Sequence, residues 1–506
     1  MNAATLPNEL LSLLDAGRAD APAIAAPGQP PLTYAGLRDL VASTRADLRR
    51  AGVGRNDRVA MVLPNGPEMA ALFVAVAAAA TAAPLNPAYQ AEELEFYLGD
   101  LKAKALILPQ GFASPARAVA EAMGIPILGF ANRDLRLVPE APLSVAASTD
   151  GPAEASDVAL VLHTSGTTAR PKIVPITQAN LCASARHIGA ALALVPGDVC
   201  LNIMPLFHIH GLVAAVLSSL AAGASVWCSP GFNALKFFGW LDEVKPSWYT
   251  AVPTMHQAIL ARAPRNAESV AQSRLRLVRS SSASLPPPVM RALEDLFRCP
   301  VIEAYGMTEA AHQMASNPLP PRARKPGSVG VAAGPEIAIM DGEGAILPAG
   351  AIGEVVIRGP NVVAGYENNP EANLKSFTAG WFRTGDQGKL DEEGYLHLTG
   401  RLKELINRGG EKVSPLEIDA VLLEHPAVQQ AVTFGIPHDK LGEEVGAAVV
   451  LRPDASVGER ELRDFAAARL AAFKVPRKIV FLNEIPKGPT GKLQRIGLAE
   501  RLGVTA

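Results

Sequence analysis

The sequence has little of what marks several common classes of protein. Its four cysteines lie far apart with no C-x-x-C pair, which excludes an obvious zinc or redox motif and is typical of reduced thiols in a cytosol. Aromatic residues make up only 5%, no basic stripe is interleaved with them, and the net charge is −2. We therefore expect no nucleic acid and no anionic lipid surface as a partner.

Long apolar runs are also missing. The most apolar segment is an alanine-rich run from Pro67 to about Ala83, shorter than the roughly 20 residues needed to span a bilayer. We predict a buried helix there and no membrane association. The N-terminus lacks the basic start and apolar core of a secretory signal, and the C-terminus lacks a peroxisomal tripeptide, so we expect a cytoplasmic protein.

The chain does contain a regular alternation of apolar strands and helices. It has 506 residues, enough for roughly three compact units. The alternation predicts an α/β fold, with doubly wound sheets covered by helices on both faces. Among these helices, one is predicted to start near Thr177 and another to span Leu212–Leu220. Several strands are followed by a loop of polar or small residues. Because ligands of such sheets bind at the carboxyl ends of the strands, these loops are candidates for one shared site.

The pattern changes toward the C-terminus. From about residue 324 to residue 400, glycines and short alternating runs predict antiparallel strands, a β subdomain of a large N-terminal domain that spans residues 1–400. Residues 401–506 are predicted to form a small α+β C-terminal domain, in which Ser414 caps a helix.

A loop of small and hydroxylated residues, His163–Lys172, follows the apolar run Val158–Leu162. Its backbone N–H groups and hydroxyls can cradle a polyphosphate, and Lys172 adds positive charge. It differs from the common nucleotide-binding loop, because no glycine precedes Lys172. A polar surface turn is the alternative interpretation.

Three other residues each allow two interpretations. Glu309, after a strand, is either a solvated acid beside a helix cap or a ligand of Mg²⁺, which prefers one or two carboxylates plus phosphate oxygens. Asp386 belongs to a turn or accepts hydrogen bonds from two ribose hydroxyls. Lys492, in a Pro-Thr-Gly-Lys turn, is most simply a surface lysine.

Together these segments resemble the adenylate-forming superfamily, which comprises acyl-CoA synthetases, luciferases and the adenylation domains of peptide synthetases. Five motifs occur in the family's order and approximate spacing: Thr164–Lys172, Tyr305–Glu309, Trp381–Asp386, Gly400–Glu404 and Pro489–Lys492. The resemblance covers nearly the whole chain. Two residues of the phosphate loop depart from the family pattern, Ala169 and Ile173, where glycine is usual.

The resemblance implies an ATP-dependent acid–CoA ligase. A carboxylate and ATP would give an acyl-adenylate and pyrophosphate, and the thiol of coenzyme A would then give a thioester and AMP. Because the first step joins two anions, hydrogen bonds and positive charge must gather the developing charge. By motif match, the β and γ phosphates would be held by Thr164, Ser165, Gly166, Thr167, Thr168 and Lys172, the α phosphate by Thr308, and Mg²⁺ by Glu309. Adenine would be held by Tyr305 with Ser281, Ser282 and Ala283, and the ribose by Asp386 and Arg401. Lys492 would bridge the carboxylate and the α phosphate.

The family also rotates its C-terminal domain between the two steps, which would place a hinge at Lys403. Rotation would withdraw Lys492 and bring in a segment whose Gly409 and Gly410 leave room for the pantetheine thiol. The resemblance makes Lys412 and Lys474 candidate contacts for the phosphates of coenzyme A, with ordinary surface charge as the alternative for Lys474.

The acid pocket implied by the resemblance has a polar lining. His208 matches the gate at its entrance, and His210, Ser282 and His312 stand where fatty-acid and hydroxycinnamate ligases have apolar, small or aromatic residues. Unpaired buried polar groups cost about 1–3 kcal/mol each, so this lining does not suit a hydrocarbon chain. It suits a second carboxylate, held by protonated or donor-positioned histidines.

The same segments resemble the oxalate–CoA ligases of plants and fungi, so oxalate is the predicted acid, with malonate next and other short or fatty acids as alternatives. His210 and His312 could instead be core histidines bonded to the backbone. Two other functional classes are an adenylating enzyme that transfers its acyl group to a carrier protein or to oxygen, and a non-catalytic nucleotide-binding relative. The expected partners are a small carboxylate, ATP and coenzyme A, and the sequence assigns no oligomeric state.

Overall fold

The structure is a computed structural model that describes residues 7–131, 135–142, 146–164, 171–488 and 493–504. Its α-helices are Leu10–Leu13, Tyr34–Arg50, Pro67–Ala77, Ala91–Leu101, Ala116–Ala122, Gln178–Ala191, Ser218–Ala221, Phe237–Val244, Pro253–Arg262, Ala267–Ala271, Pro287–Phe297, Pro370–Ser376, Pro415–Leu423, Glu459–Ala467 and Leu498–Arg501. Short 3₁₀ helices are Leu14–Ala16, Ala263–Asn266, Thr308–Ala310 and Ala472–Lys474, and a π-helix spans His210–Leu217. None of the described helices is long and apolar enough to cross a membrane.

The largest sheet is mostly parallel. In the described part of the chain it has nine strands, in the spatial order Val331–Ala332, His312–Ser316, Val301–Met307, Leu277–Ser280, Trp248–Ala251, Val199–Asn202, Ser225–Cys228, Pro22–Ala25 and Leu32–Thr33. The strands from Val301–Met307 to Pro22–Ala25 run parallel, and antiparallel partners flank them on both sides. Their carboxyl ends therefore share one edge, where ligands of open parallel sheets bind.

A second sheet repeats this design. Within the described ranges its seven strands are, in spatial order, Val138–Pro139, Ile127–Phe130, Ala105–Pro109, Arg58–Met61, Thr81–Pro84, Val158–His163 and Ile173–Thr177. The last two pair antiparallel and bracket the phosphate loop. The buried helix Pro67–Ala77 contacts strands of both sheets and so joins them through one hydrophobic core.

Two further sheets follow, and they are mainly antiparallel. One contains Glu336–Met340, Gly353–Arg358, Trp381–Leu390, Phe377–Thr378 and Leu396–Arg401. The other contains Glu411–Val413, Ile406–Arg408, Gly442–Leu451, Val428–His438 and Lys478–Phe481. These pairings confirm the antiparallel strands predicted after residue 324, and the mixed α/β fold with a smaller C-terminal domain is confirmed. The domain limits at residues 400 and 401 stay a prediction.

Helix caps were well predicted from the sequence. The Ser414 hydroxyl accepts a hydrogen bond from the Glu417 N–H at 3.3 Å and caps the helix Pro415–Leu423. Thr177 and Asn180 form a reciprocal capping box at the start of Gln178–Ala191. Both caps satisfy N–H groups that the helix itself leaves without partners, which is why hydroxyl and amide side chains mark these positions in the sequence.

Two predicted helices were wrong in part. The alanine-rich helix ends at Ala77 rather than near Ala83, and Thr81–Pro84 is a strand in the middle of the second sheet. Alanine favours helices, but sheet pairing on both sides decides this segment. The helix expected at 212–220 begins at His210 as a π-helix and becomes α-helical at Ser218. π-Helical turns are rare and frequently occur at functional sites.

A buried acid fixes the loop that follows the strand Leu277–Ser280. Glu303, 1% exposed, accepts a hydrogen bond from the Leu285 N–H on Oε1 at 2.8 Å, while Oε2 has no hydrogen-bond partner. Burial raises the pKa of Glu303 from 4.5 to about 8. The folded protein therefore holds this carboxyl group protonated at neutral pH.

This shift predicts a pH dependence of stability. Between about pH 4.5 and 8 the folded chain keeps a proton on Glu303 that the unfolded chain has lost, so the contribution of this group to stability falls as pH rises through that window. The substitution Glu303→Gln keeps an acceptor for Leu285 and removes the titration. We expect its melting temperature to rise relative to the wild type from pH 5.5 to pH 8, measured by circular dichroism.

The exposed Glu392 supplies the control, since Glu392→Gln changes the same chemical group on the surface. A constant difference in melting temperature between Glu303→Gln and the wild type across this pH range would contradict the prediction.

Candidate active site

Several of the residues singled out by the sequence lie together at the carboxyl edge of the largest sheet. Ser281–Ala283 follow the strand Leu277–Ser280, and the 3₁₀ helix Thr308–Ala310 follows Val301–Met307. His210 hydrogen-bonds to Thr250, near the end of the next strand, and to Ser282. Polar residues at or after the ends of three neighbouring strands thus lie close together, as the sequence predicted.

The two ends of the phosphate loop are tied together. The Thr164 N–H donates to the Lys172 carbonyl at 3.0 Å, and the Lys172 N–H donates to Thr164 Oγ1 at 3.4 Å. Ile173 begins the following strand, pairs with His163 and is buried, so an extended position accounts for a β-branched residue where the family usually has glycine. The predicted phosphate contacts Ser165, Gly166, Thr167 and Thr168, and also Ala169, lie outside the described residues.

An aromatic ring holds the ammonium group of Lys172. Its Nζ lies 4.2 Å from the ring centroid of Tyr366, and the hydroxyl of Tyr366 donates to Glu309 Oε1 at 2.7 Å. Burial lowers the pKa of Lys172, Glu309 opposes this shift and Lys403 adds to it. Tyr366 thus joins two predicted phosphate-side residues. Sequence reasoning missed it, because its segment carries no signal beyond that of a turn.

The Glu309 carboxylate suits the predicted magnesium ligand. It is 6% exposed, and among the described residues the Tyr366 hydroxyl is its one hydrogen-bond donor. Those residues contain no group of three or more His, Cys, Asp or Glu that could hold a metal ion. A single carboxylate completed by phosphate oxygens is a donor set that Mg²⁺ accepts, so the residues present fit an ion that arrives with ATP.

Tyr305, Asp386 and Arg401 form one contact group. The hydroxyl of Tyr305 donates to Asp386 Oδ2, and Arg401 Nε lies 3.1 Å from Asp386 Oδ1. Asp386 raises the pKa of Arg401, and burial raises the pKa of Tyr305 well above its usual value, so both stay protonated donors. A carboxylate can accept hydrogen bonds from two ribose hydroxyls at once. The predicted nucleoside residues are therefore brought together.

The residues of the loop Ser281–Ala283 differ in burial. Ser281 is fully buried and its hydroxyl donates to the Ala304 carbonyl at 2.9 Å, so this side chain anchors the loop. Ser282 is half-buried and Ala283 is exposed. These two, rather than the Ser281 hydroxyl, are presented outward from the sheet edge.

The three residues predicted to select the acid are in contact. His210 Nδ1 lies 3.0 Å from Ser282 Oγ, and the ring centroids of His210 and His312 are 5.1 Å apart. The two imidazoles are 0% and 2% exposed, whereas Ser282 is partly exposed. The backbone N–H of His210 donates to His208 Nδ1 at 3.3 Å. Both ring nitrogens of His210 have side-chain partners, Ser282 and Thr250.

Two residues of this pocket have a strained backbone. Ser282 has φ +74° and His312 has φ +106°, conformations that non-glycine residues rarely adopt and that cost on the order of 1–3 kcal/mol each. Gly306 permits the second, because a Cβ there would lie 1.7 Å from the His312 carbonyl oxygen. Such strain persists where surrounding structure enforces it, which is typical of functional sites.

An arginine missed by sequence reasoning lies behind the histidines. Arg279, on the strand Leu277–Ser280, is fully buried, with Nη1 3.4 Å from His210 Nε2 and from Thr250 Oγ1, and Nη2 3.3 Å from Gln313 Oε1. Burial lowers its pKa to about 9, which leaves it charged at pH 7. A charged residue inside an apolar central strand was the available signal, because burying a guanidinium costs several kcal/mol.

The predicted coenzyme A residues lie in the C-terminal domain. Gly409 and Gly410 adopt φ +60° and +95° in the turn between the strands Ile406–Arg408 and Glu411–Val413. Lys412 lies in the second of these strands. Lys474 Nζ contacts Glu417 at 2.7 Å, so this lysine is already paired. Lys403 lies in the turn after Leu396–Arg401, near enough to affect the pKa of Lys172. Lys492 lies outside the described residues.

Comparison with known proteins agrees with this geometry. Residues 15–367 match the family described as AMP-binding enzyme, and residues 417–492 match the AMP-binding enzyme C-terminal domain. The chain is 48% identical to the oxalate–CoA ligase of Arabidopsis thaliana, with 94% of each chain covered. It is 42% identical to the oxalate–CoA ligase of Saccharomyces cerevisiae, over 88% of this chain and 87% of that one.

A solved structure agrees over the whole fold. ATP-bound MatB from Rhodopseudomonas palustris superposes with a TM-score of 0.88 at 30% identity, covering 98% of this chain and 99% of that one. Together with the two matched domains and the ligases above, this establishes the reaction class as acid–thiol ligation with formation of AMP. The chain therefore belongs to the AMP-binding enzyme family and is an acyl-CoA ligase.

Proposed function

We propose that this enzyme activates oxalate with ATP and transfers the oxalyl group to coenzyme A. The observation that carries the proposal is the polar wall of the acid pocket, in which His210 and Ser282 are hydrogen-bonded at 3.0 Å and the ring of His312 lies beside them. Binding of a hydrocarbon chain would leave these polar groups without partners, which costs free energy, whereas a second carboxylate would form hydrogen bonds with them. The identity to two oxalate–CoA ligases supports the same acid.

The first step joins a carboxylate oxygen to the α phosphorus of ATP and breaks the bond to pyrophosphate. Lys172 and the loop from Thr164 to Thr168 would hold the departing β and γ phosphates, and Thr308 would donate to the α phosphate. Asp386 and Arg401 would fix the ribose, with Tyr305 at the adenine. Lys492 would bridge the two reacting anions. Mg²⁺, held by Glu309 and phosphate oxygens, would neutralise part of the triphosphate charge when bound.

The second step joins the sulfur of coenzyme A to the activated carbonyl carbon and releases AMP. Lys403 would be the hinge that exchanges Lys492 for the segment with Gly409 and Gly410 at the site. The positive φ angles of these glycines allow a side-chain-free turn beside the thiol. Lys412 would contact a phosphate of coenzyme A. Lys474 would do so after leaving Glu417, with which it is now paired.

Malonate is the second candidate acid. Its distal carboxylate would meet the same donors, one carbon further from the reacting group. The imidazoles of His210 and His312 are 0% and 2% exposed, which leaves Ser282 as the accessible member of the three for either acid.

A substrate panel tests the proposal. We expect pyrophosphate release in the presence of coenzyme A to be fastest with oxalate, slower with malonate and succinate, and slowest with acetate, octanoate and coumarate. Parallel measurement of AMP and of the thioester shows whether coenzyme A is the acceptor. Preference for octanoate or coumarate over oxalate would refute the proposal, and preference for malonate would favour the second candidate.

Removal of one pocket imidazole should weaken oxalate binding selectively. A hydrogen bond to a charged group contributes about 1.5–3 kcal/mol, so His312→Ala should raise the KM for oxalate roughly tenfold or more while the KM for ATP stays near the wild-type value. No new acid should be gained. His397→Ala is the matched control, because His397 pairs with Asp391 away from the pocket. An unchanged KM for oxalate in His312→Ala would contradict the assignment.

A stiffened hinge should separate the two half-reactions. Lys403→Pro fixes φ at the predicted hinge, so we expect oxalate-dependent exchange of pyrophosphate into ATP to persist while thioester formation falls about tenfold or more, a barrier increase of ~1.4 kcal/mol. Lys403→Ala removes the same side chain but keeps the backbone freedom, and it should retain both half-reactions. Equal loss of both in Lys403→Pro would count against a hinge at this residue.

A further inference from the structure

The buried guanidinium of Arg279 has no anionic partner. In the described part of the chain Arg279 belongs to no ion pair, and its contacts are the neutral groups of Thr250, His210 and Gln313, at 3.3–3.4 Å. Its Nε has no hydrogen-bond partner. The Cys200 thiol interacts with it electrostatically, but burial raises the pKa of Cys200 well above its ordinary value, so that thiol stays neutral.

The structural arginines of the same region are arranged differently. Arg276, three residues earlier, places Nη2 2.6 Å from Asp198 Oδ2 and is partly exposed. A charge retained at full burial without a carboxylate lowers stability, and replacement by a well-packed apolar residue is often neutral or stabilising. The position of Arg279 therefore points to an anion that is absent from the protein itself.

The contacts of Arg279 determine where His210 carries its proton. Arginine has donors and no acceptor, so a hydrogen bond donated by Nη1 across the 3.4 Å contact makes His210 Nε2 the acceptor, without a proton. Thr250 Oγ1, 2.6 Å from the same nitrogen, then donates its hydroxyl proton to it. The proton of a neutral His210 must lie on Nδ1, which faces Ser282 Oγ at 3.0 Å.

The same charge disfavours a second proton on His210, because a cation beside an imidazole opposes formation of an imidazolium. His312 also faces this ring, with its centroid 5.1 Å away. Ser282 Oγ, accepting from Nδ1–H, keeps its own hydroxyl proton for donation. Since Ser282 is partly exposed, that proton is available to a ligand in the pocket.

We propose that Arg279 is a positioning residue for acid selection: it holds His210 as the neutral tautomer protonated on Nδ1, so that Ser282 donates its hydroxyl to the distal carboxylate of the substrate. The guanidinium attracts that carboxylate from behind the wall without touching it. The assignment deepens the proposed function and rests on it for the second carboxylate. The tautomer of His210 is a property of the free enzyme and does not depend on which acid is used.

The tautomer of His210 can be measured directly. In enzyme labelled with ¹⁵N-histidine, long-range ¹H–¹⁵N spectra at pH 7.5 distinguish the two tautomers, and comparison with His210→Gln identifies the His210 signals among the nine histidines. We expect a protonated Nδ1 and an unprotonated Nε2. A proton on Nε2 would overturn the inference. This experiment uses the wild-type arginine and no acid, so a failed oxalate proposal leaves its outcome unaffected.

Substitution of Arg279 separates positioning from a merely structural role. Arg279→Met removes the unpaired charge at similar volume, so we expect an equal or higher melting temperature, a KM for oxalate raised about tenfold or more, and an unchanged KM for ATP. Arg276→Met is the matched control: it breaks a real ion pair, and it should lower the melting temperature with little effect on the KM for oxalate.

The outcomes of this comparison are distinct. A lower melting temperature in Arg279→Met with KM values for oxalate and ATP that move together would assign Arg279 a structural role and overturn the inference. If Arg279→Met does not fold, the tautomer in the wild type decides alone. If the wild type prefers another acid in the substrate panel, the KM comparison is made with that acid, and an unchanged KM in Arg279→Met would then overturn the inference separately.

Discussion

Joining a carboxylate to a triphosphate requires positive charge that the protein's own carboxylates do not cancel. Two cations of the site lie against neutral groups, whereas a third, Arg401, is paired with Asp386. Lys172 lies over the ring of Tyr366, and Arg279 contacts a hydroxyl, an imidazole and an amide. Among the described residues, many other arginines have a carboxylate partner, as Arg495 has Asp419 at 2.9 Å. A buried cation without a carboxylate partner lowers stability, which separates Arg279 from the arginines that are paired.

The scaffold also maintains an unfavourable local conformation at the acid pocket. Ser282 and His312 both have positive φ, and His210 begins a π-helix, whose hydrogen bonding is less favourable than that of an α-helix. Parallel strands fixed in register on either side leave these segments no freedom to relax. Glu303 adds to this constraint by fixing the Leu285 backbone. Stability contributed by the large core thus offsets the strain at these residues.

Much of the fold followed from periodicity and caps, because strands that are buried on both faces are continuously apolar and helix starts need side-chain acceptors. The part that failed was the alanine-rich segment, where Thr81–Pro84 pairs as a central strand. Alanine carries little shape or polarity of its own, so neighbours decide its conformation. The motifs singled out the residues of the candidate site, and the structure brings three of them, Tyr305, Asp386 and Arg401, into contact. Arg279 and Tyr366 were missed, since each acts through partners distant in sequence.

The sequence alone determined which chemical groups are present: hydroxyls and a lysine around the phosphate loop, an acid at Glu309, and two histidines with a serine in place of an apolar acid pocket. It determined the family as well, because five spaced motifs carry that information locally. The tertiary structure decided how those groups are charged and oriented. The contact of Arg279 with His210 crosses 69 residues of chain, and that of Tyr366 with Glu309 crosses 57. Proton positions and charge compensation depend on the distances in space across such contacts. Those distances are fixed by the packing of the sheet and not by the order of residues.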